Sequence, residues 1–130
     1  MPLFEKSPDP PPRIHAINNV RLEAKPGSEP ELHFFYVDVL GMEPAEGEPG
    51  MVLFQTQRMQ VRILLTPEAQ PSPMRRRLVL EVPSLERKQE QLEELGIEYE
   101  WYHGLTYTDQ RIFLLDPADN RVELKQVWLL

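Results

Sequence analysis

"LLDPADNRVEL", Leu114–Leu124, reads as a strand, a tight turn at Pro-Ala-Asp-Asn and a second strand. In the second strand Val122 and Leu124 alternate with Glu123 and Lys125, the period of a strand with one face in a core. Glu123 therefore leaves the apolar set and turns to the opposite face. A carboxylate held there needs a cation, either a metal ion or a basic side chain.

The same pattern extends upstream. "RRLVLEV" reads as a strand in which Leu78, Leu80 and Val82 alternate with Arg77, Val79 and Glu81. Ser84 caps a helix, "LERKQEQLEELG", that ends at Gly96; its mixed charge at helical spacing predicts a solvated face. "IEYEWY" is a strand, "HGLTYTDQ" a loop, and "RIFLLD" and "RVELKQVWL" are strands around the turn. The first half has the same order. "HAINNVRLE" is a strand, and Ser28 with Glu31 forms a capping box before "PELHFFYVDVLG", with Pro30 in the first turn. That helix carries Leu32, Phe35, Tyr36, Val39 and Leu40 on one stripe, leaves His33 off it, and stops at Gly41. "EPAEGEPG" is a loop or a short irregular strand, and "MVLFQT" and "QVRILLT" are strands around a turn near Gln57-Arg58.

The chain is thus a strand, a helix and three strands, twice. "NVRLEA" from Asn19 aligns with "RLVLEV" from Arg77, "VLGM" from Val39 with "ELGI" from Glu94, and "ILLT" from Ile63 with "VELK" from Val122. The expected organisation is a Pro-rich arm over 1–13 and one domain over 14–127. Within the domain, module one covers about 14–66, a Pro-rich connector 67–75, and module two about 76–127.

Composition limits the function. The 130 residues are 41% hydrophobic, enough for one domain with a core, and carry a net charge of −7, which argues against a general nucleic-acid binder. The absence of cysteine removes disulfides, thiol catalysis and thiolate metal sites. No apolar run reaches the ~20 residues of a membrane helix, and the N-terminus lacks a basic-then-apolar signal pattern. The expectation is a cytoplasmic protein without nucleic-acid or membrane partners.

"FYVDVLGM" (Phe35–Met42), "LEVPSLERKQEQLEELGIEYE" (Leu80–Glu100) and "DPADNRVEL" (Asp116–Leu124), in this order, resemble the vicinal oxygen chelate superfamily. That family includes glyoxalase I, bleomycin-resistance proteins and extradiol dioxygenases. The resemblance implies an α+β fold of two βαβββ modules, whose curved mixed sheets form a cup, usually within a dimer. It also implies four metal-ligand positions on the first and fourth strand of each module. Aligned by residue similarity, they fall on Asn19, Leu64, Arg77 and Glu123. Only Glu123 matches the family's ligand types; Leu donates nothing and Arg is a cation. His15, about 13 Å further along its strand, is too distant to replace Asn19. Gly is common in the family where Asp119 stands.

Alternation places Asn19, Arg21, Glu23, Arg62, Leu64, Arg77, Val79, Glu81, Glu123 and Lys125 on the cup face. Four cations face three carboxylates there, in a protein that is acidic overall. Arg forks suit carboxylates and phosphates. The expected site is a cup for a small anionic or zwitterionic ligand, formed by Asn19, Arg21, Arg62, Leu64, Arg77, Glu81, Glu123 and Lys125. Tyr102 and His103 come from a loop that forms either a lid with Tyr107 or a cover for the sheet edge. No metal, no other cofactor and a homodimer are expected, the last also from the aromatic residues Phe34, Phe54, Trp101 and Trp128. Two other readings stay open: an enzyme of glyoxalase or dioxygenase type with an unusual metal site, and a structural or regulatory dimer with a filled cup, for example one filled by ion pairs such as Arg77–Glu123.

Overall fold

The computed structural model describes residues 18–71, 78–106 and 108–126. Module one contains β1 (Asn18–Ala24), α1 (Glu29–His33), β2 (Glu43–Ala45), β3 (Met51–Gln55) and β4 (Met59–Leu65). Module two contains β5 (Leu78–Val82), α2 (Leu85–Glu94), β6 (Glu100–His103), β7 (Gln110–Leu115) and β8 (Arg121–Gln126). Each forms a four-stranded mixed sheet, in the order β1-β4-β3-β2 and β5-β8-β7-β6. In each, the first strand runs parallel to the fourth and the other pairs are antiparallel. This is the α+β architecture of two βαβββ units that the sequence predicts.

The apolar alternation becomes the core. Leu22, Val61, Ile63 and Phe54 are buried in the first sheet, and Leu78, Leu80, Ile112, Leu114, Val122 and Leu124 in the second. Leu32, Phe35, Tyr36 and Val39 cover the first set, Leu85 and Leu92 the second. His33 is exposed, as expected from its place off the stripe.

Three local expectations change. The first helix is α-helical only to His33 and then widens into a π-helical segment, Phe34–Val39, in which Leu40 N–H reaches back to Phe35 O at 3.0 Å. Ser28 does not form the capping box. Its backbone is not extended (φ −90°, ψ 4°), so its hydroxyl donates backward to Lys25 O at 2.6 Å instead of receiving a helix N–H. Ser84 is extended (φ −150°, ψ 118°) and accepts from Arg87 N–H at 3.2 Å, a true N-cap. On α2, the expected solvated face is broken by Lys88, whose ammonium donates to Val39 O at 2.7 Å and so satisfies a carbonyl at the C-terminal end of the first helical segment.

The modules are joined by a buried polar cluster. Asp116, at the start of the β7–β8 turn, accepts Ala118 and Asn120 N–H on Oδ1, both at 2.8 Å. Its Oδ2 accepts Asn120 Nδ2 at 3.0 Å and, from module one, the Tyr36 hydroxyl at 2.5 Å. Asn120 Nδ2 also reaches Glu23 O on β1 at 3.2 Å. Burial, then the Asp116 charge, pushes the Tyr36 phenol well above its ordinary value, so it remains a donor. Asp119 takes φ +64° in this turn, which is why glycine suits that position.

Candidate functional site

The face of each sheet turned away from the core carries the charged residues. Strand pairing assigns them without reference to side-chain chemistry. On module one Asn19 lies opposite Gln60, Arg21 opposite Arg62 and Glu23 opposite Leu64; Leu53 and Met51 continue these rows on β3. On module two Val79 lies opposite Glu123 and Glu81 opposite Lys125, with Phe113 and Arg111 next on β7.

This register revises one assignment. Asn19 and Arg77 are equivalent by the duplication, so Arg21 corresponds to Val79. The residue opposite Val79 is Glu123, and the residue opposite Arg21 is Arg62. The module-one counterpart of Glu123 is therefore Arg62. Leu64 is two residues further along β4, the counterpart of Lys125, and is 46% exposed. Residue similarity misaligned the two strands by two positions. A two-residue slip preserves the face, so alternation gave no warning of it.

Glu123 is 2% exposed, and its Oε1 accepts Arg111 Nη1 at 3.1 Å. Arg111 Nε lies 3.3 Å from Asp109 Oδ1, outside good hydrogen-bond geometry. The bond to Glu123 holds Arg111 above its ordinary value, so the guanidinium stays charged. The expected partner, Arg77, lies outside the described residues. Arg111 lies on the third strand of its module, outside the first and fourth strands that carry the family's ligand positions, so the resemblance does not point to it. The signal was present: in "RIFLL", buried Ile112 and Leu114 leave Arg111 and Phe113 for the other face.

The remaining expected residues separate. Arg62 is half-buried, with Nε donating to Gln60 Oε1 at 3.3 Å, and Arg21 and Asn19 are exposed. Glu81 and Lys125 are in register, yet no ion pair within 4 Å joins them. Tyr102 lies opposite Arg111 and meets the Phe113 ring edge-on at 6.0 Å. His103 lies opposite Gln110, one step out of phase, beside Trp101 at 5.9 Å; it is on the other face from Tyr102. Tyr107 is outside the described residues, as is Trp128. Phe54 is buried within the chain's own core and gives no support to an interface. A cleft among the described residues runs along Phe113, Leu115, Glu100, Tyr99 and Arg121, none of them singled out from the sequence.

The donor set does not fit the metal that the resemblance implies. Its positions hold Asn19, Arg62, Arg77 and a Glu123 already engaged by Arg111. Among the described residues no three His, Cys, Asp or Glu side chains gather into a group able to hold a metal ion.

Comparison with known proteins agrees with the fold. A glyoxalase family protein from Bacillus anthracis superposes with a TM-score of 0.75 at 24% identity, covering 86% of this chain and 94% of that one. Lactoylglutathione lyase from Agrobacterium tumefaciens gives 0.67 at 23% identity, covering 90% and 96%. TnmS3, an antibiotic binding protein from Streptomyces sp. CB03234, gives 0.62 at 19% identity, covering 87% and 98%. No curated protein matches the chain. The profile of the Glyoxalase/Bleomycin resistance protein/Dioxygenase superfamily matches residues 33–124, and the chain belongs to that superfamily.

Proposed function

We propose that this protein binds a small anionic or zwitterionic molecule in its cup without a metal ion, as a homodimer. The observation that carries this reading is the replacement of metal ligands by guanidinium groups. Arg62 stands at the fourth-strand position of module one, and Arg111 covers the carboxylate at the equivalent position of module two. A guanidinium supplies the positive charge that a metal would, together with a directional fork for oxygen atoms. Coulomb repulsion between it and a divalent cation then disfavours metal at the same point. Similar folds occur in a protein titled as antibiotic-binding and in one titled as a fosfomycin resistance protein. Binding without catalysis is thus the simplest role, and an anion is the ligand that the charge selects.

Titrating protein kept in EDTA with fosfomycin and with S-lactoylglutathione tests this. At least one of the two should raise the melting temperature, because a ligand specific to the native state stabilises it. Zinc, nickel or manganese alone should leave it unchanged. Near one metal ion per chain by elemental analysis, or anion binding that appears only after metal is added, overturns the reading. Phe34 and Leu115 are exposed and offer apolar contact area for a second copy. Light scattering giving the 15.2 kDa monomer at micromolar concentration overturns the dimer.

A further inference from the structure

The geometry points to a docking site for a protein partner: a short extended segment with a basic side chain adds as a strand beside the end of β7, in the cleft between Leu115 and Glu98. The site is independent of what the cup holds.

β7 runs to Leu115, whereas its pairing with β6 stops at Glu100 and Phe113. Alternate residues of a strand in an antiparallel ladder turn both backbone groups toward the same neighbour. Asp116 N–H goes to Asn120 O at 2.8 Å, so the even-numbered residues of β7 face β8. Asp109 O accepts Gly104 N–H at 2.6 Å, so the odd-numbered ones face β6. Leu115 is therefore turned to the β6 side, two residues past the last pair. In a continued ladder it would meet Glu98, but β6 begins only at Glu100. Among the described residues no strand meets the N–H and C=O of Leu115 on that side. An unpaired edge of this kind is a template for another chain.

The gap is built into the fold. Ile97 N–H is bound to Leu92 O at 2.9 Å, and the Tyr99 hydroxyl donates to Glu93 Oε1 at 2.6 Å and accepts from Gln89 Nε2 at 2.8 Å. These anchors hold residues 97–99 against α2, so β6 does not close further along β7. The cleft between them has Ile97 and Phe113 on its walls together with the exposed carboxylates of Glu98, Glu100 and Asp119. Arg121 is the one cation among the lining residues. Three carboxylates against one guanidinium select a basic side chain. Strand addition then supplies main-chain hydrogen bonds, while the acidic rim supplies the selectivity. Backbone groups lie in the plane of a sheet and side chains leave its face, so a second copy packed on the Leu115 side chain leaves this edge open.

An NMR titration of the 15N-labelled full chain with the peptide acetyl-TVTKTV-amide tests this. The dissociation constant should fall below about 1 mM. The largest shifts should be at the amides of Leu115, Glu98 and Glu100. The same peptide with Glu in place of Lys, and one N-methylated throughout, should each bind about tenfold more weakly or worse. The double variant Glu98→Gln, Glu100→Gln should weaken the Lys peptide by a similar factor. Glu90→Gln, on the exposed side of α2, should leave it unchanged. Melting curves of the variants separate lost binding from lost folding. Four results overturn the inference: no binding at several times that concentration, equal binding of either control peptide, shifts centred elsewhere, or binding unchanged in the double variant. A Leu115 amide already protected from hydrogen exchange in a peptide-free dimer also overturns it, because a second copy then occupies the edge.

Discussion

Replacing Tyr36 with Phe deletes one oxygen from the cluster that joins the modules. The ring itself is held independently, stacked on Phe54 at 5.0 Å and 17° and edge-on to Phe35 at 5.0 Å, so packing should survive. The change removes the 2.5 Å bond to Asp116 Oδ2, at a residue only 3% exposed. A hydrogen bond to a charged acceptor contributes ~1.5–3 kcal/mol. Three donors remain on Asp116, from Ala118 and Asn120, so the loss should be about 2 kcal/mol. In a domain of this size that lowers the melting temperature by about 8 °C. The pH dependence is the sharper test. Burial raises Asp116 above its ordinary value, and the bonds from Tyr36, Asn120 and Ala118 only partly offset this. A carboxyl raised in the folded state contributes stability that is complete below the ordinary carboxylate range and is lost as pH rises through the folded value. Tyr36 resists that loss because it favours the ionised form. The cost of Tyr36→Phe should therefore be greatest near neutral pH and shrink as Asp116 takes up its proton. Urea unfolding of both proteins across the acidic and neutral range measures it. A cost below about 0.5 kcal/mol at neutral pH, typical of surface changes, or one independent of pH, would refute the reasoning.

Two further changes separate local features. Ser84→Ala should cost about 1 kcal/mol by removing a real N-cap, whereas Ser28→Ala, at the site of the unformed capping box, should cost less than half of that in the same denaturant assay. Gly104→Ala should destabilise the β6–β7 connection by ~1–3 kcal/mol, because the added carbon overlaps the Asp109 side chain while Gly104 N–H is tied to Asp109 O at 2.6 Å; a thermal shift within error of zero would show that Asp109 turns aside freely.

The sequence by itself determined the strand and helix order, the duplication, and which side chains face the core. These follow from a period of two along a strand and from residues close in the chain. Leu78, Leu80, Val122 and Leu124 are buried as their alternation requires, and Ser84 caps as its position suggests. Tertiary structure decided what meets across the chain. Whether Arg62 or Leu64 matches Glu123 depends on the register of β1 against β4, which face patterning cannot distinguish at a two-residue slip. The Arg111–Glu123 contact requires β7 to lie beside β8 in its observed register. The Tyr36–Asp116 bond spans 80 residues and exists only once the modules dock. Even Ser28 was decided by its surroundings, since the turn from Lys25 sets its backbone and sends its hydroxyl backward. Periodicity reports the face on which a residue lies; its partner is chosen by register and docking, which no single strand encodes.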